Sequence, residues 1–113
     1  MTVKFTASTN PPGKLADAEL HFDDGPLAGL KLIGFAVWER RGGNGRNVTF
    51  PARQYTVNGE RRSFALLRPI AFSGGLVSEA QDRIRDLILA AYAEVEAAEI
   101  AAERAAVDAL QGK

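Results

Sequence analysis

The chain has 113 residues, 46% of them hydrophobic and 25% charged, which fits one globular domain built on a single core. It has no Cys, which excludes a disulfide framework, thiolate chemistry and Cys-ligated metals, and its single His, His21, excludes His-rich metal sites and paired-His chemistry. Fourteen Lys and Arg balance fourteen Asp and Glu, yet the charges are segregated along the chain.

Residues 1–30 carry two basic side chains against four acidic ones, residues 31–75 carry eight against two, and residues 76–113 carry four against eight. Seven of the eight basic residues in the middle stretch are Arg, which forks onto phosphate and stacks on bases better than Lys does. An anionic partner for the middle, or an acidic helix of the same or another chain, accounts equally well for this pattern. No apolar run approaches the ~18 residues of a membrane span, and Met1 to Phe5 lacks the basic-then-apolar layout of a signal peptide. A cytoplasmic, unanchored protein with no membrane partner is expected.

In chain order, Val3 to Ala7 alternates apolar and polar residues and predicts a strand, which Asn10-Pro11-Pro12-Gly13 ends in a turn. Ala16, Ala18, Leu20 and Phe22 fall on one side of a second strand, with Asp17, Glu19 and His21 on the other, before the Asp23-Asp24-Gly25-Pro26 turn. Leu30 to Trp38 reads as a central strand in which Gly34 marks a bulge or a close backbone approach. This apolar strand is also a candidate dimer contact by sheet extension. Glu39 to Asn47, rich in Gly and Arg, predicts an exposed, mobile hairpin loop. Val48 to Phe50 resumes a strand, and Pro51, lacking a backbone donor, confines it to an edge or a break. Asn58-Gly59 is the signature of a type I′ hairpin turn, after which Ser63 to Ile70 predicts the last strand.

Past Ser73-Gly74-Gly75 the period changes. Ser78 is the expected N-cap and Gln81 completes a capping box, and nothing from Glu79 to Gln111 breaks a helix of about 50 Å. Ile84, Ile88, Ala91, Val95, Ala98, Ala102, Ala105 and Ala109 form a seam that shifts from large to small side chains. Its first half can cover a sheet, while the second is either a helix–helix contact or a solvated helix held by propensity.

Gly42-Gly43-Asn44-Gly45 matches the Gly-x-x-Gly of KH loops, but those join helices whereas this one joins strands. No nucleotide-cofactor motif is present, and no cofactor or metal is expected. Asp23, Asp24 and Glu39 loosely evoke a Mg²⁺-dependent nuclease, although Asp-Asp-Gly-Pro reads more simply as a turn. His21 has no nucleophile placed beside it by any motif, so no enzyme is expected. Arg40, Arg41, Arg46, Arg53, Arg61 and Arg62 cluster in two hairpins and one edge strand, and Tyr55, beside Gln54, is the aromatic expected to be exposed.

The order of these features resembles the stage V sporulation protein G (SpoVG, septation regulator) family over roughly residues 15–95. The likeness is carried by Asn47-Val48-Thr49-Phe50-Pro51-Ala52-Arg53, the Asn58-Gly59-Glu60 turn, Pro69-Ile70, and a helix through Ile84 to Tyr92. It implies a small dimeric α+β protein that binds DNA, and in places RNA, as a regulator. Phe50-Pro51-Ala52-Arg53 falls on that family's Met-Pro-Ser-Lys stretch, which makes Arg53 the nucleic-acid contact that the resemblance implies. Gln54 stands where the family has a second basic residue, and Ala97 to Lys113 has no counterpart in it.

The expected architecture is α+β, an antiparallel β-meander of about five strands followed by one long C-terminal helix. Residues 1–96 make the domain and 97–113 an Ala/Glu-rich helical extension. The expected function is non-catalytic nucleic-acid binding as a homodimer, with DNA favoured over RNA. Phosphate contacts come from Arg40, Arg41, Arg46, Arg53, Arg61 and Arg62, and base contacts from Arg53, Gln54 or Tyr55. A scaffolding module assembled through the helix and, further back, a Mg²⁺-dependent nuclease are the alternatives.

Overall fold

The structure is a computed structural model that describes residues 1–40, 42, 45–70 and 77–111, with the side chains of Val77 and Ser78 outside the description. The alternating segments form strands where expected: β1 is Thr2–Ala7, β2 Lys14–His21, β3 Lys31–Glu39 and β4 Arg46–Thr49. They pair antiparallel in the order β1-β2-β3-β4, a meander whose open edges are β1 and β4. Two further strands, β5 (Ala52–Val57) and β6 (Glu60–Ala65), make a separate two-stranded ribbon, and helix α1 runs from Val77 to Gln111. The fold is therefore α+β, a β-meander followed by one long helix, with six strands where about five were expected.

Pro51 accounts for the extra strand. Gly34 in β3 has φ +107°, and a Cβ built there would lie 2.8 Å from Cβ of the buried Pro51. The missing side chain lets the proline ring sit directly on β3, which is the close approach that a glycine inside an apolar strand suggests. Resting there without an amide hydrogen, Pro51 ends the pairing of β4 with β3, which covers only Ala36 to Glu39 on the β3 side. The chain leaves the sheet and starts a new hairpin. Phe50 is held in the same turn, its ring edge-on to Phe35 at 5.3 Å and under the Arg85 guanidinium at 5.6 Å.

Two sequence expectations need correcting. The last strand stops at Ala65 instead of reaching Ile70, because its partner β5 begins only at Ala52. Leu66 still donates its N–H to the Pro51 carbonyl at 2.9 Å, after which no strand remains beside it. The central strand β3 is an interior strand, bonded to β2 on one side and to β4 on the other, so its Ala36–Glu39 half is closed to sheet extension by a second copy. The expected capping box lies outside the described side chains; the helix itself starts at Val77, one residue before the expected cap Ser78. Arg41, Gly43 and Asn44 of the expected mobile loop are likewise outside the described residues.

The core is small. Ala18, Leu20, Phe35, Val37 and Val48 from one face of the sheet close over Ile88 of α1, with Phe5, Ile84, Leu89 and Tyr92 packed around them. Phe5 meets Tyr92 edge-on at 5.3 Å. Only the helix segment through about residue 96 takes part, and every residue from Ala97 to Gln111 is exposed. With no Gly or Pro between Val77 and Gln111, the 35-residue helix continues straight past the sheet for a total of about 52 Å. The molecule accordingly measures 65 Å along its longest axis, with a radius of gyration of 17.9 Å; a compact domain of this length has about 13 Å.

Gly34→Ala is expected to lower stability by roughly 2 kcal/mol or more, since it adds a backbone strain and a clash with Pro51. Gly59→Ala, strained in φ alone with nothing within 4 Å of the added carbon, should cost about 1 kcal/mol. Urea denaturation of the two variants checks this, and equal losses would mean that the Gly34–Pro51 contact contributes nothing.

Candidate nucleic-acid interface

The β5–β6 ribbon is held by its turn. Asn58 (φ 51°) and Gly59 (φ 80°) both adopt the positive φ that a type I′ turn requires, which fixes Val57 opposite Glu60. The register then follows by counting back: Tyr55 faces Arg62, and Arg53 faces Phe64. Because side chains alternate across a strand, Arg53, Tyr55, Val57, Glu60, Arg62 and Phe64 share one face, and Gln54, Thr56, Arg61 and Ser63 share the other. All of them are exposed.

The first face therefore presents two guanidiniums and two rings together. The Tyr55 and Phe64 rings lie with centroids 5.7 Å apart, each ring about two-fifths exposed. Arg62 donates to Glu60 at 3.1 Å, a solvent-exposed pair that leaves the guanidinium free to exchange partners. Phe64 was not foreseen as exposed. The Asn-Gly turn carried the signal, since a two-residue turn sets the register that puts Phe64 beside Tyr55.

The other sequence candidates are distributed differently. Arg61 and Gln54 project from the opposite face of the ribbon. Arg40 is exposed at the end of β3, its N–H donated to the Gly45 carbonyl at 3.2 Å, and Arg41 lies outside the described residues. Arg46 turns inward, donating from Nη2 to Glu96 Oε2 at 2.8 Å, with both side chains about one-third exposed. The Glu96 hydrogen bond holds the guanidinium above its ordinary pKa against the opposing effect of burial, while burial foremost, then the Glu96 charge, pushes the neighbouring Tyr92 phenol up. Arg46 Nε is buried with no hydrogen-bond partner among the described residues. This arginine ties β4 to the helix.

On the outward face of the four-stranded sheet most charges are paired. Lys14 pairs with Asp17, and both His21 Nε2 (2.8 Å) and Lys31 Nζ (3.4 Å) meet Glu19 Oε1, holding the Glu19 carboxyl below its usual range, the His21 hydrogen bond foremost. The ribbon carries Arg53, Arg61 and Arg62 against Glu60 alone, a net positive charge.

The structure does not bring the nuclease candidates together. Asp23 bonds to Thr2 and to the N-terminal amine beside the start of β3, whereas Glu39 ends that strand roughly 25 Å away. Among the described residues no group of three or more His, Cys, Asp or Glu is placed to hold a metal ion, and no helix is long and apolar enough to cross a membrane. No family model matches the chain, and neither does any curated protein or solved structure.

The tie between Arg46 and Glu96 can be weighed directly. Glu96→Gln should cost about 1 kcal/mol, because it leaves a half-buried guanidinium without its counter-charge. Arg46→Met, which removes the charge together with the unpartnered Nε, should cost less. Thermal unfolding of both variants tests the order, and a larger loss in Arg46→Met would contradict it.

Proposed function

We propose that the protein binds nucleic acid without catalysis, acts in the cytoplasm, prefers duplex DNA to RNA, and has a second copy of itself as its other partner. The observation that carries this reading is the exposed ribbon whose one face groups Arg53 and Arg62 with Tyr55 and Phe64. A two-stranded antiparallel ribbon fits the ~12 Å major groove of B-form DNA, whereas the A-form major groove is too narrow and deep to admit one. Arg at the ribbon's edges reaches phosphate, and Arg53 or Tyr55 lies near enough to meet base edges, whereas Gln54 projects from the opposite face. The resemblance of Phe50-Pro51-Ala52-Arg53 and the following turn to the SpoVG family supports the same site, with Arg53 at its centre.

Self-association is supported by what the fold leaves uncovered. An isolated two-stranded hairpin is marginal in water, and here Tyr55, Val57, Phe64 and Leu66 are all exposed on or beside it. One observation favours the scaffolding alternative: Ile100, Val107 and Leu110 are exposed on the projecting helix. In that reading the helix assembles chains and the arginines meet acidic protein.

Fluorescence anisotropy of labelled duplex at several salt concentrations tests the reading. Arg53→Ala and Arg62→Ala should each weaken binding and flatten the slope of log K against log salt by about 0.9. Arg61→Ala, on the opposite face, should change the slope by less than about half as much. A chain that binds neither duplex, single-stranded DNA nor RNA at low salt would overturn the proposal in favour of a protein partner.

A further inference from the structure

The projecting helix carries two different stripes. The Ala98, Ala102, Ala105 and Ala109 seam prolongs the side that covers the sheet, but the large apolar side chains, Ile100 and Val107, sit roughly half a turn away on the opposite side of the helix, with Leu110 beside them. Glu99 and Glu103 flank this stripe on one side, and Arg104, the single basic residue of the segment, flanks it on the other with Asp108 beyond. The result is an apolar strip with two carboxylates along one edge. The ribbon face is its counterpart: the Tyr55 and Phe64 rings and Val57 are edged by the guanidiniums of Arg53 and Arg62, with Glu60 the one carboxylate among them.

We propose that residues 97–111 of one copy dock along the Arg53/Tyr55/Arg62/Phe64 face of a second copy's ribbon, so that the acidic helix and nucleic acid compete for the same surface. The inference deepens the reading above, since it names the self-contact and makes it a regulator of that site. Four observations select this occupant. The lengths agree, at about 22 Å for fifteen helical residues and about 20 Å for six strand residues. The net charges are opposite, with three carboxylates against Arg104 on residues 97–111 and Arg53 with Arg62 against Glu60 on the ribbon face. The same chain cannot supply the helix, because α1 has no Gly or Pro at which to fold back and residues 97–111 stand clear of everything else. Finally, each copy carries both halves, so a two-fold axis makes the contact twice and closes the assembly as a dimer.

Charge exchange tests the contact. One variant carries Arg53→Glu with Arg62→Glu, the other Glu99→Arg with Glu103→Arg, and both are followed by sedimentation velocity without nucleic acid. Each alone should self-associate about tenfold or more weakly than the wild type, because its own halves now repel. An equimolar mixture should recover the dimer, since one of its two contacts has both charges exchanged and the other is unchanged; variants that had merely failed to fold would not recover. Wild-type sedimentation of both variants, or no recovery on mixing, would overturn the docking. In a parallel duplex titration, Glu99→Gln with Glu103→Gln and Asp108→Asn should bind several-fold more tightly than the wild type. Unchanged affinity in a variant that no longer dimerises would overturn the competition while leaving the nucleic-acid reading intact. Dimerisation of a wild type that binds no nucleic acid would retire that reading and the competition with it, leaving the docking to stand alone.

Discussion

The contact of Pro51 on Gly34 is the constraint from which the rest of this architecture follows. A side chain at position 34 would hold the proline ring off β3, and an amide hydrogen at position 51 would let β4 run on beside its neighbour. With neither present, the fourth strand stops at Thr49, Phe50 is clamped between Phe35 and Arg85, and the chain is redirected into a ribbon that belongs to no larger sheet. A meander that might have continued to six strands is divided into a covered sheet of four and a free pair.

That division leaves a domain with one modest core and two limbs. The core stabilises β1 to β4 and the helix through Glu96, where the Arg46 pair fastens the last contact. Beyond it, the ribbon and residues 97–111 of the helix bury nothing of their own. Short helices and lone hairpins gain too little from local hydrogen bonds to offset the conformational entropy of ordering them, so either limb would gain stability from a surface that covered it. Their net charges are opposite, basic on the ribbon and acidic on residues 97–111, which is the basis for proposing phosphate on the one and a second copy's guanidiniums on the other. A formal net charge of zero thus conceals one basic limb and one acidic limb.

Much of the fold was legible because the relevant chemistry is local. The alternation in β2, the glycine inside β3, the proline after Phe50, the Asn58-Gly59 turn and the unbroken run from Glu79 to Gln111 each act within a few residues, and each appears where the pattern put it, the helix starting two residues earlier at Val77. The end of β6 was not legible, because a strand's length is set by its partner, and β5 begins late. Arg46 looked like one more free cation in a basic stretch; its partner Glu96 lies fifty positions away, and charge counting carries no information about which side chains meet across a core. The Ala seam drew attention away from Ile100, Val107 and Leu110, since a seam that continues the sheet-covering side is the stronger periodicity even where it has nothing left to cover. For the site, the sequence identified the arginines, while the register across the turn decided which of them share a face with the aromatic rings.

The most direct test of the account is to follow backbone amide resonances of the ¹⁵N-labelled protein as duplex DNA is added. The account predicts that the shifts concentrate in β5 and β6, largest around Arg53, Tyr55, Arg62 and Phe64, while the outward face of the four-stranded sheet stays unchanged. Shifts centred on that sheet, or a spectrum that does not respond at low salt, would contradict it.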